Sequence, residues 1–121
     1  MRFNFAPSNT NPTRNTDTMT KGYWIGRVDV TDPEAYKKYV IANGPVFASH
    51  GARFLIRGGQ FEAVEGLARS RNVVIEFPSY RAALECYHSP EYAEAMALRL
   101  DAGVTDILVI EGYDGAQPGE V

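Results

Sequence analysis

The residue best suited to acid–base chemistry in this chain is His88, because histidine alone has an unperturbed pKa close to neutrality. It stands between Tyr87 and Ser89, where one predicted helix ends and the next begins. A histidine at such a junction is more often a surface or hydrogen-bonded residue than a catalytic one. His50, which follows Ser49 near the end of the first predicted helix, suits the helix dipole there. We therefore take His88 as the candidate catalytic residue.

Four residues are candidates for binding a ligand: Trp24, Tyr36, Arg57 and Glu76. Aromatic residues such as Trp24 and Tyr36 are most often core residues, but they also line small pockets between a sheet and its helices. Arg57 and Glu76 are predicted to share a face of the sheet. There they form a structural ion pair, or Arg57 orients a polar group of a ligand.

The sequence predicts neither a metal site nor a cofactor. The two histidines lie far apart and lack the short spacings of metal ligands. A single cysteine, Cys86, excludes an internal disulfide and a cysteine-based metal site. Cys86 falls in a helical apolar stripe, which favours a packed thiol over a reactive one. Gly58 and Gly59 lack the helix and lysine of a phosphate-binding loop.

Composition limits the partners. The chain has 121 residues and a formal net charge of −3, and its basic residues are scattered, so we expect no nucleic acid. No apolar run approaches the length that crosses a membrane, and residues 1–20 have no apolar stretch of a signal peptide. We expect a cytoplasmic protein, and a hypothesis for its N-terminus is that translation starts at Met19.

The pattern of apolar residues predicts the order β-α-β-β-α-β. The first strand covers residues 22–30, and the first helix starts at Asp32–Pro33, with Gly44–Pro45 expected to kink it or to separate its last turn. The second strand starts at residue 52, and a bulge at Gly58–Gly59 lets Phe61, Ala63 and Val64 extend it. Residues 66–70 then form a hairpin loop.

The third strand is the β-branched and aromatic run that Pro78 ends. Ser79 and Ser89 are predicted N-caps of two short helices, and residues 106–113 form the last strand. This is the ferredoxin-like plan, an α+β fold with a four-stranded antiparallel sheet and helices on one face. We predict a disordered arm over residues 1–20, this domain over residues 21–114 and a loose tail over residues 115–121.

Strand alternation sorts the sheet into two faces. The face predicted under the helices is almost wholly apolar: Trp24, Val28, Val30, Phe54, Ile56, Val73, Ile75, Phe77, Leu108 and Ile110. The opposite face mixes apolar residues with charges: Tyr23, Ile25, Arg27, Asp29, Arg53, Leu55, Arg57, Val74, Glu76, Val109, Glu111 and Tyr113. So many apolar residues on the second face predict a partner. A twofold homodimer through the sheet face is the simplest one, because a single self-complementary patch serves both copies.

Four stretches carry a resemblance to a known family: residues 21–39 (KGYWIGRVDVTDPEAYKKY), 53–59 (RFLIRGG), 71–79 (RNVVIEFPS) and 86–92 (CYHSPEY). In this order the chain resembles the family called domain of unknown function 1330, from about residue 21 to residue 113. The resemblance implies membership of the dimeric α/β-barrel group, in which two ferredoxin-like subunits join sheet to sheet. It implies no reaction, although Arg57, Glu76 and His88 fall in its recurrent motifs.

Two hypotheses for function follow. The first is a homodimer that binds a small molecule between sheet and helices. The second is a cofactor-free enzyme, similar to a monooxygenase or an isomerase, that acts on a small and partly aromatic compound, with His88 as acid–base and Arg57 or Tyr36 orienting a polar group. Convergence of His88 and an arginine on one pocket would favour the enzyme.

Overall fold

The structure, a computed structural model, describes residues 20–120. Apart from Thr20, the predicted N-terminal arm lies outside the described residues, as does Val121 of the predicted tail. The elements, in chain order, are β1 Gly22–Val30, α1 Pro33–Ser49, β2 Arg53–Arg57, β3 Arg71–Phe77, α2 Tyr80–Tyr87, α3 Pro90–Ala97 and β4 Gly103–Glu111. Within residues 20–120, no helix has both the length and the apolar character that a membrane crossing needs.

The strands form one antiparallel sheet in the order β2-β3-β1-β4. Two connections carry helices, α1 between β1 and β2, and the pair α2 and α3 between β3 and β4. This is the predicted ferredoxin-like order, with the second helix broken as expected.

Each helix starts at a capping side chain: Asp32, in the predicted start signal of α1, and the predicted caps Ser79 and Ser89. Asp32 accepts a hydrogen bond from the Ala35 amide at 3.2 Å, and Ser79 accepts one from the Ala82 amide at 3.0 Å. Ser89 accepts from the Tyr92 amide at 3.1 Å and donates to the Cys86 carbonyl at 2.8 Å. Because Ser89 bonds both the last turn of α2 and the first turn of α3, it fixes the break between them.

The core lies between the sheet and the helices and is rich in aromatic rings. The Trp24 ring lies 5.2 Å from Phe47, 5.5 Å from Phe77 and 5.0 Å from Tyr92, measured between centroids. Its indole N–H donates to the Ala83 carbonyl at 2.8 Å. The single tryptophan thus joins β1 to α1, β3, α2 and α3.

Helix α1 corrects one prediction. It continues through Pro45 to Ser49, so its last turn is not separated. Proline removes one backbone donor and restricts the residue before it. That residue is Gly44, which has no Cβ to collide with the proline ring, and the carbonyl that loses its donor belongs to Ile41, which is exposed to solvent.

The second strand was predicted too long. It ends at Arg57, and the chain from residue 58 to residue 70 has neither strand nor helix. Phe61 and Val64 are 52% and 79% exposed, so their apolar character gave a false strand signal. The irregularity in pairing lies inside β2, between Phe54 and Ile56, and not at Gly58–Gly59.

The last strand starts three residues earlier than predicted, and its two faces are exchanged. Trp24 pairs with Val109 and Ile25 pairs with Leu108. Val109 therefore faces the helices, whereas Leu108 and Ile110 lie on the open face, where they are 51% and 47% exposed. The sequence misleads here because residues 107–110 are all apolar, so alternation does not distinguish the faces.

We expect the Ser89→Ala substitution to lower the free energy of unfolding by about 1 kcal/mol, because it removes the N-cap of α3. Urea unfolding followed by circular dichroism measures the change. Ser49→Ala is the matched control. Ser49 Oγ donates to the Val46 carbonyl and lies 3.3 Å from His50 Nδ1 at the end of α1. It caps no helix N-terminus, so its loss should change stability by less than about 0.5 kcal/mol. Equal effects of the two substitutions would contradict the capping role of Ser89.

The thiol of Cys86 should not react in the folded protein. Cys86 is 0% exposed, and burial, with a smaller effect from Glu91, raises its pKa to about 12. We expect iodoacetamide at neutral pH to leave the native chain unlabelled and to add one group once urea unfolds it, as measured by mass spectrometry. Rapid labelling of native protein would show that the thiol is accessible.

Candidate ligand-binding site

A cleft lies between α1 and the face of the sheet that α1 covers. About 40 Å³ of it is open to the centres of water-sized molecules, more than one water needs. Its floor consists of three rows of side chains across the paired strands: Phe54, Ile75 and Trp24; Arg57, Val73, Gly26 and Ile107; Arg71, Val28 and Thr105. The roof is one side of α1: Tyr36, Tyr39, Val40, Asn43 and Phe47.

The cleft changes from apolar to charged along the strands. The row through Trp24 is wholly apolar, the next row begins with Arg57, and the last contains Arg71 and Thr105. Arg99, just beyond the end of α3, completes the lining. The cleft thus has an aromatic end and a cationic end, an arrangement that suits an amphipathic ligand.

Arg57 reaches this cleft because of the bulge in β2. Phe54 pairs with Ile75, but Ile56, only two residues later, pairs with Val74. The extra residue moves Ile56 to the open face and turns Arg57 towards the helices, where its guanidinium lies 4.1 Å from the centroid of the Phe54 ring. The predicted ion pair between Arg57 and Glu76 is therefore wrong.

Two further arginines flank a pair of tyrosine rings. The guanidinium of Arg71 lies 5.7 Å from the Tyr36 ring centroid, and that of Arg99 lies 5.4 Å from the Tyr39 ring centroid. The centroids of Tyr36 and Tyr39 are 5.4 Å apart. The tyrosines bring both cations to the same side of α1, and each cation lies at a distance that permits attraction to a ring.

A buried hydrogen-bond network holds Arg99. The hydroxyl groups of Tyr39 and Tyr92 are 2.7 Å apart, and Arg99 Nη2 donates to the Tyr92 hydroxyl at 3.3 Å. Burial, together with the neighbouring Tyr39, raises the pKa of Tyr92 far above its ordinary value. Tyr92 is therefore neutral at physiological pH, and its hydroxyl positions Arg99 without cancelling the charge of the guanidinium.

Three buried polar atoms of the lining have no hydrogen-bond partner among the described residues: Asn43 Oδ1, Arg71 Nε and Arg99 Nε. Asn43 and Arg99 are only 5% and 8% exposed. Buried polar groups in native proteins are nearly always paired, and leaving one unpaired costs about 1–3 kcal/mol. Three such atoms lie around this one cleft.

Sequence reasoning missed these three residues, although each carries a signal. Arg71 has the same strand parity as Val73. Asn43 follows Tyr39 by four positions, and Arg99 follows Tyr92 by seven, so both lie on the buried sides of their helical segments. The signal in each case is a polar residue at a position where the periodicity predicts a buried apolar one.

The predicted site residues separate into two groups. Trp24, Tyr36 and Arg57 line the cleft. Glu76 lies on the opposite face of the sheet, where it accepts from the Tyr23 hydroxyl at 3.3 Å and pairs with Arg53 at 3.5 Å. His88 is exposed at the C-terminal end of α2, with its ring 5.3 Å from Tyr87. It is not part of the lining, and its catalytic role stays a prediction.

The fold recurs in solved structures. RPA0582, a protein of unknown function from Rhodopseudomonas palustris, is 22% identical, with a TM-score of 0.64 over 79% of this chain and 85% of its own. SnoaB, a cofactor-independent oxygenase from Streptomyces nogalater, is 12% identical, with a TM-score of 0.56 over 82% of this chain and 98% of its own.

A third similar structure is a putative antibiotic biosynthesis monooxygenase from Caulobacter crescentus CB15, 13% identical, with a TM-score of 0.51 over 79% of this chain and 92% of its own. At these identities the likeness concerns the fold, which is that of the dimeric α/β-barrel proteins, as predicted.

A comparison with curated proteins found none that matches this chain. The family profile described as "Domain of unknown function (DUF1330)" matches residues 21–113, which is most of the chain and the whole of the sheet with its helices. The chain therefore belongs to this family of unknown function, DUF1330.

Proposed function

We propose that this protein is a homodimer that binds a small organic molecule in the cleft between α1 and the sheet. The observation that carries the proposal is the set of unpaired polar atoms of Asn43, Arg71 and Arg99 around one aromatic-lined space. A bound molecule would cover the apolar wall and would contact the polar side chains that line the space. About 40 Å³ of the cleft is open to the centres of water-sized molecules, so the ligand is small.

Binding is a better account of the cleft than acid–base catalysis. The described residues that line it include neither a histidine nor a carboxylate, and these are the usual general bases. Burial raises the pKa of Tyr36, the tyrosine at the cationic end, which makes it a poorer base at neutral pH. The likeness to a cofactor-independent oxygenase keeps the enzyme hypothesis as a second candidate, with Tyr36 and Arg57 as the orienting groups.

The dimer proposal rests on the open face of the sheet. One row that crosses all four strands is wholly aliphatic: Ile56, Val74, Ile25 and Leu108. Ile56 and Leu108 are 50% and 51% exposed in the single chain. A continuous apolar row in the middle of a sheet face favours a partner over solvent.

The charged residues beside this row have partners within the same chain. Arg53 pairs with Glu76 at 3.5 Å, and Arg27 pairs with Asp106 at 3.5 Å. Covering pairs that are already formed costs less than covering lone charges. A second copy of the same face, related by a twofold axis, therefore fits this surface well.

The Gly26→Val substitution tests the cleft. A Cβ at this position would lie 3.7 Å from Ile107 Cγ1, an ordinary contact, and valine suits a strand. We expect the variant to fold and to fill the space that the ligand needs. Compounds from a small-molecule library that raise the melting temperature of the unmodified protein should no longer do so in this variant.

Ala48→Leu is the control for added apolar volume, because Ala48 is exposed on α1 outside the cleft. It should keep the response of the unmodified protein to every stabilising compound. If Gly26→Val also keeps that response, or if no compound stabilises the unmodified protein, the cleft is not a ligand site.

The Ile25→Glu substitution tests the interface. We expect the mass in solution, measured by light scattering, to fall from twice 13.4 kDa to 13.4 kDa, because a buried unpaired carboxylate opposes association. Ile41→Glu is the matched control, since Ile41 is 67% exposed on α1 and should leave the mass unchanged. A dimer that survives Ile25→Glu, or an unmodified protein that is monomeric, would refute this interface.

A further inference from the structure

The cleft contains an excess of positive charge. Its lining has three arginines, Arg57, Arg71 and Arg99, and no carboxylate among the described residues. By contrast, Arg27, Arg53 and Arg69 outside the cleft each pair with an aspartate or a glutamate, at 3.5, 3.5 and 2.8 Å. Like charges gathered in a partly buried site repel one another unless a counter-charge joins them.

The three arginines lie at increasing depth. Arg57 is exposed at the mouth, Arg71 is half-buried, and Arg99 is 8% exposed. The bulge in β2 and the pairing of Arg57 with Val73 bring the first two to neighbouring positions on one face. Such a series of cations attracts an anion to the mouth and leads it inwards, because low-dielectric walls concentrate the field.

The donors that need a partner match one planar anion. The side chains of Arg71 and Arg99 line the cleft, although their Nε atoms are themselves buried, and a carboxylate has two oxygens that accept from guanidinium donors. A phosphate, with its higher charge, is usually held by several backbone amides at a helix N-terminus. The walls here are instead aromatic and aliphatic side chains such as Trp24, Phe47 and Phe54, which suit the apolar remainder of an organic acid.

From these observations we infer that the ligand of the cleft is a small organic carboxylate. Its carboxylate accepts from the guanidinium groups of Arg71 and of Arg99, and its apolar part points to Trp24. The inference rests on the proposed function, because it names the class of molecule that the same cleft takes. Asn43 Oδ1 is an unpaired acceptor, so a ligand that also carries a hydroxyl or amine donor satisfies the site more fully.

The test compares acids with neutral molecules of nearly the same shape. Butyrate and benzoate are titrated into the full chain against butyramide and benzamide, and the Nε–H resonances of arginine are followed by NMR. We expect each acid to bind at least roughly tenfold more tightly than its amide, since hydrogen bonds to charged groups are worth about 1.5–3 kcal/mol. The resonances of Arg71 and Arg99 should be those that move.

Conservative variants locate the anion. Arg71→Lys keeps the charge but removes the planar donor group, so the affinity for butyrate should fall roughly tenfold while the melting temperature stays close to that of the unmodified protein. Arg99→Lys should act in the same way but also disturbs the bond to Tyr92, which makes Arg71→Lys the decisive variant. Arg81→Lys, on the exposed part of α2, is the control and should bind butyrate unchanged.

Each other outcome overturns the inference. Equal binding of acids and amides would leave a small-molecule site but refute the preference for an anion. Binding of butyrate that Arg71→Lys does not weaken would place the anion elsewhere. If no acid binds while library compounds still stabilise the protein in a way that Gly26→Val abolishes, the carboxylate class fails and the proposed function stands. If nothing stabilises the protein, both fail.

Discussion

Trp24 is the residue on which the arrangement of the helices depends. Its indole donates to the Ala83 carbonyl at 2.8 Å, and its ring packs against Phe47, Phe77, Tyr87 and Tyr92 with centroids 5.0 to 5.6 Å away. One side chain therefore sets the distance of α1, α2 and α3 from the sheet. Because α1 is held at one end by this cluster, the space under its other half stays open as the cleft.

One face of the sheet forms the floor of the cleft, and the other carries the aliphatic row. The short strand β2 contributes residues to both faces. A bulge at the third residue of that strand places both Phe54 and Arg57 on the helix face. In a regular strand, residues three positions apart would lie on opposite faces. An unbroken strand would have placed Arg57 opposite Asn72 on the open face and removed a cation from the cleft. The same bulge adds Ile56 to the aliphatic row on the open face, so one irregularity serves both surfaces.

The charged residues also differ between the two faces of the sheet. On the open face each cation has a carboxylate partner, and Arg69 contacts both Asp29 and Asp106 at 2.8 Å, which also attaches the end of the long loop to the sheet. Inside the cleft the cations have aromatic neighbours and no carboxylate among the described residues. The arginines of the open face are thus paired with carboxylates, whereas those of the cleft lie where the proposed ligand would contact them.

By itself the sequence determined the order of the elements, the ferredoxin-like fold, the three helix caps and the family, because caps, prolines and apolar periodicity act over a few residues. It also singled out Trp24, Tyr36 and Arg57, which line one cleft, although for Arg57 it gave the wrong face. Only the tertiary structure decided which side of β4 faces the helices, since residues 107–110 are apolar on both sides. It alone brought Asn43, Arg71 and Arg99 together, because these residues lie far apart in the chain and meet only through strand pairing and helix packing.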